Sequence, residues 1–240
     1  MDSANAVAIS TAENSLPARC IAAVTRGAIS LSERGWLPDT VLRAGIRRLT
    51  RERLLEIFVD NPAAAADLAN AFVSALREED VALLVHKANE QHYEVPAEFF
   101  GGVLGPHRKY SSCWWPDGVT TLEDAEAVAL AATCERAGLA DGQHILELGC
   151  GWGSLTLFMA ARFPRSQITA VSNSQSQRAH IEAEAARRGL GNVRIITCDM
   201  NVFDIENRFE RVVSVEMFEH MRNWPEMFRR VAGWLKPGGR

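Results

Sequence analysis

Two periodicities of apolar residues run along the chain, and they predict two structural regions. Over Leu37–Asp60 apolar residues recur at steps of three and four, the spacing of one helix face. Further helices are predicted over Ala63–Leu76 and near Glu79–Gln91. After Gly101-Gly102 short apolar runs alternate with helical stretches. This alternation is typical of a parallel sheet with helical crossovers.

The second region contains enough start and stop signals to predict each element. Thr121 and the acids after it predict a capped helix to about Ala137, with Gly138 in its C-terminal left-handed position. The later elements are predicted as strand Gln143–Leu148, helix Ser154–Arg162, strand Gln167–Val171, helix Gln175–Arg188, strand Asn192–Thr197, strand Arg211–Val215 and helix Pro225–Leu235. The predicted fold is therefore α/β: a loose tail at residues 1–20, a helical region at 21–100 and a sheet domain at 101–240.

Composition excludes several classes of protein. The 240 residues are 47% hydrophobic and 23% charged, which is ordinary for a soluble globular chain. The net charge of −4 argues against a nucleic-acid-binding protein, and no apolar run is long enough for a transmembrane helix. The five cysteines are widely spread and lack C-x-x-C spacing. We therefore expect reduced thiols, no metal site and a cytoplasmic location.

The sharpest chemical signal is a glycine-rich turn between the first predicted strand and the next helix. After Glu147 and Leu148 the turn reads Gly149-Cys150-Gly151-Trp152-Gly153. Glycines let the backbone turn tightly and let a ligand approach without Cβ clashes. A dinucleotide site needs the spacing G-x-G-x-x-G, whose third glycine is Ser154 here. A cofactor turn of another kind is favoured, and a purely structural turn is the alternative.

Polar residues also follow the later predicted strands. Asp199 comes after the third strand, as a ligand-binding acid or as a plain turn-capping residue. Glu219 and His220 come after the fourth strand, and open α/β sheets bind ligands at the carboxyl ends of strands near the switch in strand order. An acid beside a histidine can accept or relay a proton near pH 7. His92 and Tyr93 are candidates for the substrate pocket or for a structural contact.

Four segments in order carry a resemblance to a known family. They are residues 91–100, residues 110–115 with 121–125 behind them, the glycine turn, and residues 212–221. Together they resemble the cyclopropane-fatty-acyl-phospholipid synthase family of class I S-adenosylmethionine-dependent methyltransferases, in its branch similar to coclaurine N-methyltransferase. The resemblance implies a Rossmann-like sheet and S-adenosylmethionine as cofactor. The family sheet has seven strands, whereas four parallel strands are predicted here, so we expect a C-terminally incomplete sheet.

The resemblance also implies which residues hold the cofactor. Those that close over it or form its turn are Tyr110, Ser111, Gly149, Gly151 and Gly153. Glu147 would lie near the methionine ammonium group of the cofactor. The second strand usually ends in an acid that binds the ribose hydroxyls, and the uncharged Ser172, Asn173 and Gln177 take that place here, as in the coclaurine-like branch. Asp199 matches an acid that accepts from the adenine amino group.

Around the reacting centre the resemblance implies acid–base chemistry. Glu219 and His220 match the pair that orients and deprotonates an amine, and Glu216 matches a further pocket acid where lipid synthases usually have glycine. Lipid synthases hold a bicarbonate base partly through a cysteine, and that position is Ser112 here, with Cys113 adjacent. A small-molecule amine is therefore the expected acceptor. An unsaturated lipid chain and a truncated, non-catalytic interaction protein are the alternatives.

An arginine-rich stretch within the first predicted helix leaves a membrane-surface contact open. A basic face could meet anionic lipid while the apolar face enters the interface. Glu52, Glu56 and Asp60 dilute the positive charge of this stretch. We therefore favour docking within the molecule over membrane binding, and the sequence leaves the oligomeric state open.

Overall fold

The computed structural model describes residues 26–58, 60–83 and 97–240. The chain divides into two compact units, with the boundary between Ala71 and Phe72. The predicted tail at residues 1–20 lies outside the described residues, as do His92 and Tyr93. The predicted domain limits therefore stay a prediction.

The N-terminal helices are α1 (Asp39–Glu56) and α2 (Pro62–Leu76), after a helical stretch at residues 26–33. Acids within α1 pair with its arginines, in the exposed bridges Arg43–Asp39, Arg48–Glu52 and Arg53–Glu56. Such exposed pairs add little to stability, but they neutralise part of the basic face. Within the described ranges, no helix has the length and apolar character needed to cross a bilayer. Membrane-surface contact stays the alternative that the sequence leaves open but does not favour.

The second unit contains a parallel sheet whose order is β3-β2-β1-β4. Its strands are β1 (His144–Leu148), β2 (Gln167–Ser172), β3 (Val193–Thr197) and β4 (Arg211–Ser214). Because β1 pairs with β2 on one side and with β4 on the other, the strand order switches direction beside β1. The predicted α/β class is confirmed, and the carboxyl ends of β1 and β4 lie side by side.

Helices connect β1 to β2 and β2 to β3, and the side chains of Thr121, Ser174 and Asn223 cap three of the helices in this unit. In this unit the helices are α3 (Ala97–Val103), α4 (Leu122–Arg136), α5 (Ser154–Arg162), α6 (Gln175–Arg187), a 3₁₀ turn Phe218–His220 and α7 (Trp224–Trp234). Thr121 caps α4 by accepting from the Asp124 amide at 3.1 Å. Gly138 ends that helix with φ of +61°, as the sequence predicts.

Both faces of the sheet are covered by helices, which explains why its strands are apolar along most of their length. On one face Leu146 and Leu148 belong to a buried cluster that includes Met227 of α7. On the other face Ile145 and Ile168 belong to a cluster with residues of α4 and α5. The polar side chains are left to the strand ends, where the candidate site lies.

The prediction of a helix near Glu79–Gln91 is wrong for Glu79–Leu83, the part of that segment which the structure describes. Ala82 forms an antiparallel bridge with Met221, and its amide donates to Asn201 Oδ1 at 2.8 Å. These tertiary hydrogen bonds replace the i to i+4 bonds of a helix. The remainder of that predicted helix lies outside the described residues. Helix α3 continues through Gly101 and Gly102, after which the sequence pattern changes.

Candidate active site

The glycine turn after β1 is bent so tightly that two amides donate to one carbonyl. The Gly149 and Cys150 amides both lie 3.0 Å from the Val171 oxygen at the end of β2. Gly149 has φ of +77°, and a Cβ there would lie 2.9 Å from Met217 Cβ. Only glycine fits this position without strain or a clash, because L side chains rarely adopt a positive φ and the space is filled.

Gly153 has a different role from the other two glycines of the turn. A Cβ on it would lie 2.6 Å from Ile181 Cγ1, so the missing side chain lets α5 approach α6. Gly153 is also absent from the residues that line the two cavities described next. The cofactor contact expected of Gly153 from the sequence stays a prediction, and the geometry shows a packing function for this residue.

The first cavity, of about 110 Å³, opens at the carboxyl ends of the strands. Of the predicted site residues it is lined by Gly149, Gly151, Ser172, Asn173, Gln177, Asp199, Glu216 and His220. The Ser172 hydroxyl donates to Gln177 Oε1 at 2.6 Å, which fixes the side chain of this buried glutamine. Asp199 Oδ1 accepts from the Asn201 amide at 2.8 Å, so this acid also caps its own turn.

The second cavity, of about 290 Å³, shares four lining residues with the first: Gly149, Gly151, Glu216 and His220. It is also lined by the predicted residues Tyr110, Ser111, Glu147 and Glu219. The two cavities therefore adjoin at the glycine turn and at the segment after β4. Ser112 and Cys113 line neither cavity.

The segment after β4 brings three titratable side chains to this junction. Glu216 has φ of +52°, an uncommon left-handed backbone for a residue with a side chain. Glu219 and His220 lie on the 3₁₀ turn, exposed toward the second cavity. Trp224 holds that turn in place, since its indole N–H lies 3.1 Å from both the Phe218 and Met221 carbonyl oxygens.

The model of the mycolic acid cyclopropane synthetase family matches residues 84–240, more than half of the chain. The chain belongs to this family. The match includes every residue that lines the second cavity and all of those that line the first except Ala82 and Leu83. The family resemblance that the sequence analysis draws from four segments is therefore confirmed.

Relatives in this family include both methyltransferases and lipid synthases. (S)-Coclaurine N-methyltransferase of Thalictrum flavum subsp. glaucum is 38% identical over 174 residues, 72% of this chain and 48% of that protein. Cyclopropane-fatty-acyl-phospholipid synthase of Escherichia coli strain K12 is 32% identical over 201 residues, 83% of this chain and 48% of that protein. The chain spans about half the length of these curated relatives.

A solved structure of the family has the same fold. The crystal structure of coclaurine N-methyltransferase bound to N-methylheliamine and S-adenosylhomocysteine is 33% identical, with a TM-score of 0.79. The match covers 90% of this chain and 62% of that one. The Rossmann-like sheet of class I methyltransferases, predicted from the sequence, is therefore the fold of this family member.

Sequence reasoning missed several residues that line the second cavity of this family member, above all Lys109. Its ammonium donates to Ser111 Oγ at 2.5 Å. Burial lowers the pKa of Lys109, against the attraction of Cys113 and the carboxylates of Glu216 and Glu126. The available signal was its position, since Lys109 directly precedes the Tyr110-Ser111 segment that the resemblance identifies.

Buried polar atoms without partners indicate that the two cavities suit a polar ligand. Within the described part of the chain, Trp152 Nε1, Ser154 Oγ and Gln177 Nε2 are buried and have no hydrogen-bond partner. All three residues line one of the two cavities. Unpaired buried polar groups cost about 1–3 kcal/mol each, which polar contacts from a ligand or ordered water would offset.

Glu147 is buried on the same face of β1 as Ile145 and accepts from the Thr156 hydroxyl at 2.5 Å. Burial raises the pKa of Glu147 from 4.5 to about 7, and the Thr156 hydrogen bond only partly opposes this rise. The folded protein therefore keeps a proton that the unfolded chain releases between these values. Its free energy of unfolding should fall as pH rises through this window, by about 3 kcal/mol.

Glu147→Gln is expected to remove this pH dependence, because an amide oxygen still accepts from Thr156 but does not ionise. The variant should be more stable than the unsubstituted protein at pH 8 and similar to it at pH 4.5. Urea unfolding followed by circular dichroism at several pH values measures the difference. Glu123→Gln, an exposed acid of α4, is the control. Parallel stability curves for the unsubstituted protein and Glu147→Gln would contradict the burial argument.

Proposed function

We propose that the protein transfers a methyl group from S-adenosylmethionine to the nitrogen of a small-molecule amine. One observation carries the proposal: two adjoining cavities share Gly149, Gly151, Glu216 and His220. One cavity has the uncharged polar groups suited to a nucleoside, and the other has acids suited to a cationic amine. The N-methyltransferase relatives support the same reaction class.

The residues present fit this cofactor. Ser172, Asn173 and Gln177 offer hydroxyl and amide groups that can pair with ribose hydroxyls, and Asp199 offers a carboxylate acceptor for the adenine amino group. Gly151 leaves open space where a side chain would stand, so a ligand can approach the backbone closely. Glu147 would ionise against the ammonium group of the cofactor, and this pairing would lower its raised pKa.

In the reaction, this chain's residues would orient the amine and take its proton. The bound cofactor supplies an electrophilic methyl carbon. Glu216 and Glu219 would attract an alkylammonium ion into the second cavity, where Glu219 or His220 accepts its N–H proton. The freed nitrogen lone pair could then attack the methyl carbon, whose bond to sulfur would break to leave S-adenosylhomocysteine. The proton would pass to solvent because these side chains are exposed. Alignment can supply roughly 7–11 kcal/mol, and a general base about 10²–10⁴-fold.

A second candidate function is the modification of unsaturated lipid chains. The relationship to the Escherichia coli lipid synthase favours it. Against it, serine occupies position 112, where the resemblance implies a cysteine ligand for the bicarbonate base, and neither Ser112 nor Cys113 lines the cavities.

One assay separates the two candidates. Radiolabelled S-adenosylmethionine is incubated with the protein and either (S)-coclaurine or vesicles of an unsaturated phosphatidylethanolamine, and calorimetry measures binding of S-adenosylhomocysteine. We expect label in the amine. Label in the lipid would support the second candidate. Cofactor binding without transfer to either acceptor would contradict both substrates, and no binding would favour a non-catalytic interaction protein.

A further inference from the structure

A carboxylate that no motif singled out lies beneath the loop leading into the second cavity. Glu126 of α4 is completely buried. Its Oε2 accepts from the His107 amide at 2.9 Å, and its Oε1 accepts from the Lys109 amide at 3.0 Å. A buried carboxyl group is costly unless donors satisfy its oxygens, so these two hydrogen bonds stabilise the backbone at His107 and Lys109.

The 105–109 loop is folded tightly around this carboxylate. The Arg108 amide donates to the Gly105 carbonyl at 2.9 Å, which closes a turn. A Cβ on Gly105 would collide with the Glu126 carboxylate oxygens. Arg108 has φ of +50°, an unusual left-handed conformation outside glycine. The loop therefore adopts a strained path that the buried acid stabilises.

The residues that follow this loop line the second cavity. Lys109 is both the residue whose amide Glu126 holds and the residue whose ammonium donates to Ser111. Tyr110 and Ser111 come directly after it. Holding the Lys109 backbone therefore helps to position the side chains of Lys109, Tyr110 and Ser111 in the cavity wall. Burial lowers the pKa of the Lys109 ammonium, and the nearby Glu126 carboxylate partly opposes this effect.

We propose that Glu126 is a positioning residue for the cofactor, acting through the 105–109 loop. This inference rests on the proposed function, because the residues that the loop positions are those expected to close over S-adenosylmethionine. Glu126 lines neither cavity itself. Its effect on binding passes through two backbone hydrogen bonds. Misplacement of binding groups by about 1 Å can cost about 10²-fold, so the expected effect is large.

The test compares Glu126→Ala and Glu126→Gln with Glu123→Gln, an exposed acid one turn earlier on the same helix. Calorimetry measures the Kd for S-adenosylhomocysteine, and hydrogen exchange measures protection of the His107 and Lys109 amides. We expect Glu126→Ala to raise Kd by about 10²-fold and both amides to exchange faster. Glu126→Gln should restore part of the affinity, because one oxygen acceptor remains. Glu123→Gln should bind normally.

Gly105→Ala tests the same contact while leaving the carboxylate in place, because its Cβ would push the loop off Glu126. It should weaken binding as Glu126→Ala does. A role in folding alone would lower the melting temperature of these variants without changing Kd in the folded fraction, and that result would overturn the proposal. Failure of the unsubstituted protein to bind would overturn the proposed function as well. If the unsubstituted protein binds S-adenosylhomocysteine and the variants bind it with the same Kd, only the role of Glu126 is overturned.

Discussion

Replacing Glu219 and His220 together by alanine is expected to lower the rate of amine methylation by about 10²–10⁴-fold. An alkylammonium ion has no free electron pair, so its nitrogen reacts only after a nearby base removes a proton. Both side chains are exposed on a 3₁₀ turn, so their loss should leave folding almost unchanged. Initial rates with labelled cofactor and (S)-coclaurine measure the effect.

Cofactor affinity separates this effect from damage to the site. The Kd for S-adenosylhomocysteine should change far less than the rate, because the ribose and adenine contacts proposed above come from other side chains, although His220 also lines the first cavity. A matched control replaces Glu135 and His144 by alanine, since both are exposed and neither lines a cavity. A double variant of Glu219 and His220 that keeps its full rate would remove these residues from the mechanism.

Gly151→Ala is expected to weaken cofactor binding and Gly153→Ala to destabilise the fold, although both positions have positive φ. In Gly151→Ala the new methyl has no protein atom within 4 Å. Because Gly151 lines both cavities, the methyl would occupy space that is open to a ligand. It should weaken binding of S-adenosylhomocysteine by about 10–100-fold. In Gly153→Ala the methyl would lie 2.6 Å from Ile181 Cγ1, so the fold should lose about 1–3 kcal/mol beyond the backbone strain.

Chemical denaturation and calorimetry on the same two samples distinguish these outcomes. The backbone strain is common to both variants, which makes each the control for the other. Gly153→Ala should unfold at a clearly lower urea concentration, while its folded fraction binds nearly normally. Equal stability of the two variants would contradict the packing role of Gly153. Equal affinity would contradict the approach of the cofactor to Gly151.

Local signals made most of the α/β region predictable. Helix Ser154–Arg162 has the bounds that the sequence predicts, because a glycine turn precedes it and Pro164 follows it closely. The remaining strands and helices of this region differ from prediction by a residue or two at their ends. The carboxyl-end rule also placed Glu219 and His220 near the glycine turn, where both line the second cavity, since parallel strands end at the same edge of a sheet.

The errors concern residues whose position depends on distant partners. The segment before Leu83 has helical spacing, yet hydrogen bonds to Asn201 and a bridge to Met221 hold it in another conformation. Glu126 looks like an ordinary helix residue in the sequence, and only the folded loop reveals the amides that it binds. Lys109 likewise becomes part of the site only because that loop turns it inward.

The left-handed backbone of Glu216 makes glycine an acceptable substitute at this position. A non-glycine residue in such a conformation costs the fold of order 1 kcal/mol or more, which glycine would recover. Substitution to glycine would thus remove a negative charge at the cavity junction and raise the free energy of unfolding. A single codon at this position could therefore shift the balance between durability and discrimination among acceptors, and directed evolution toward uncharged acceptors could begin there.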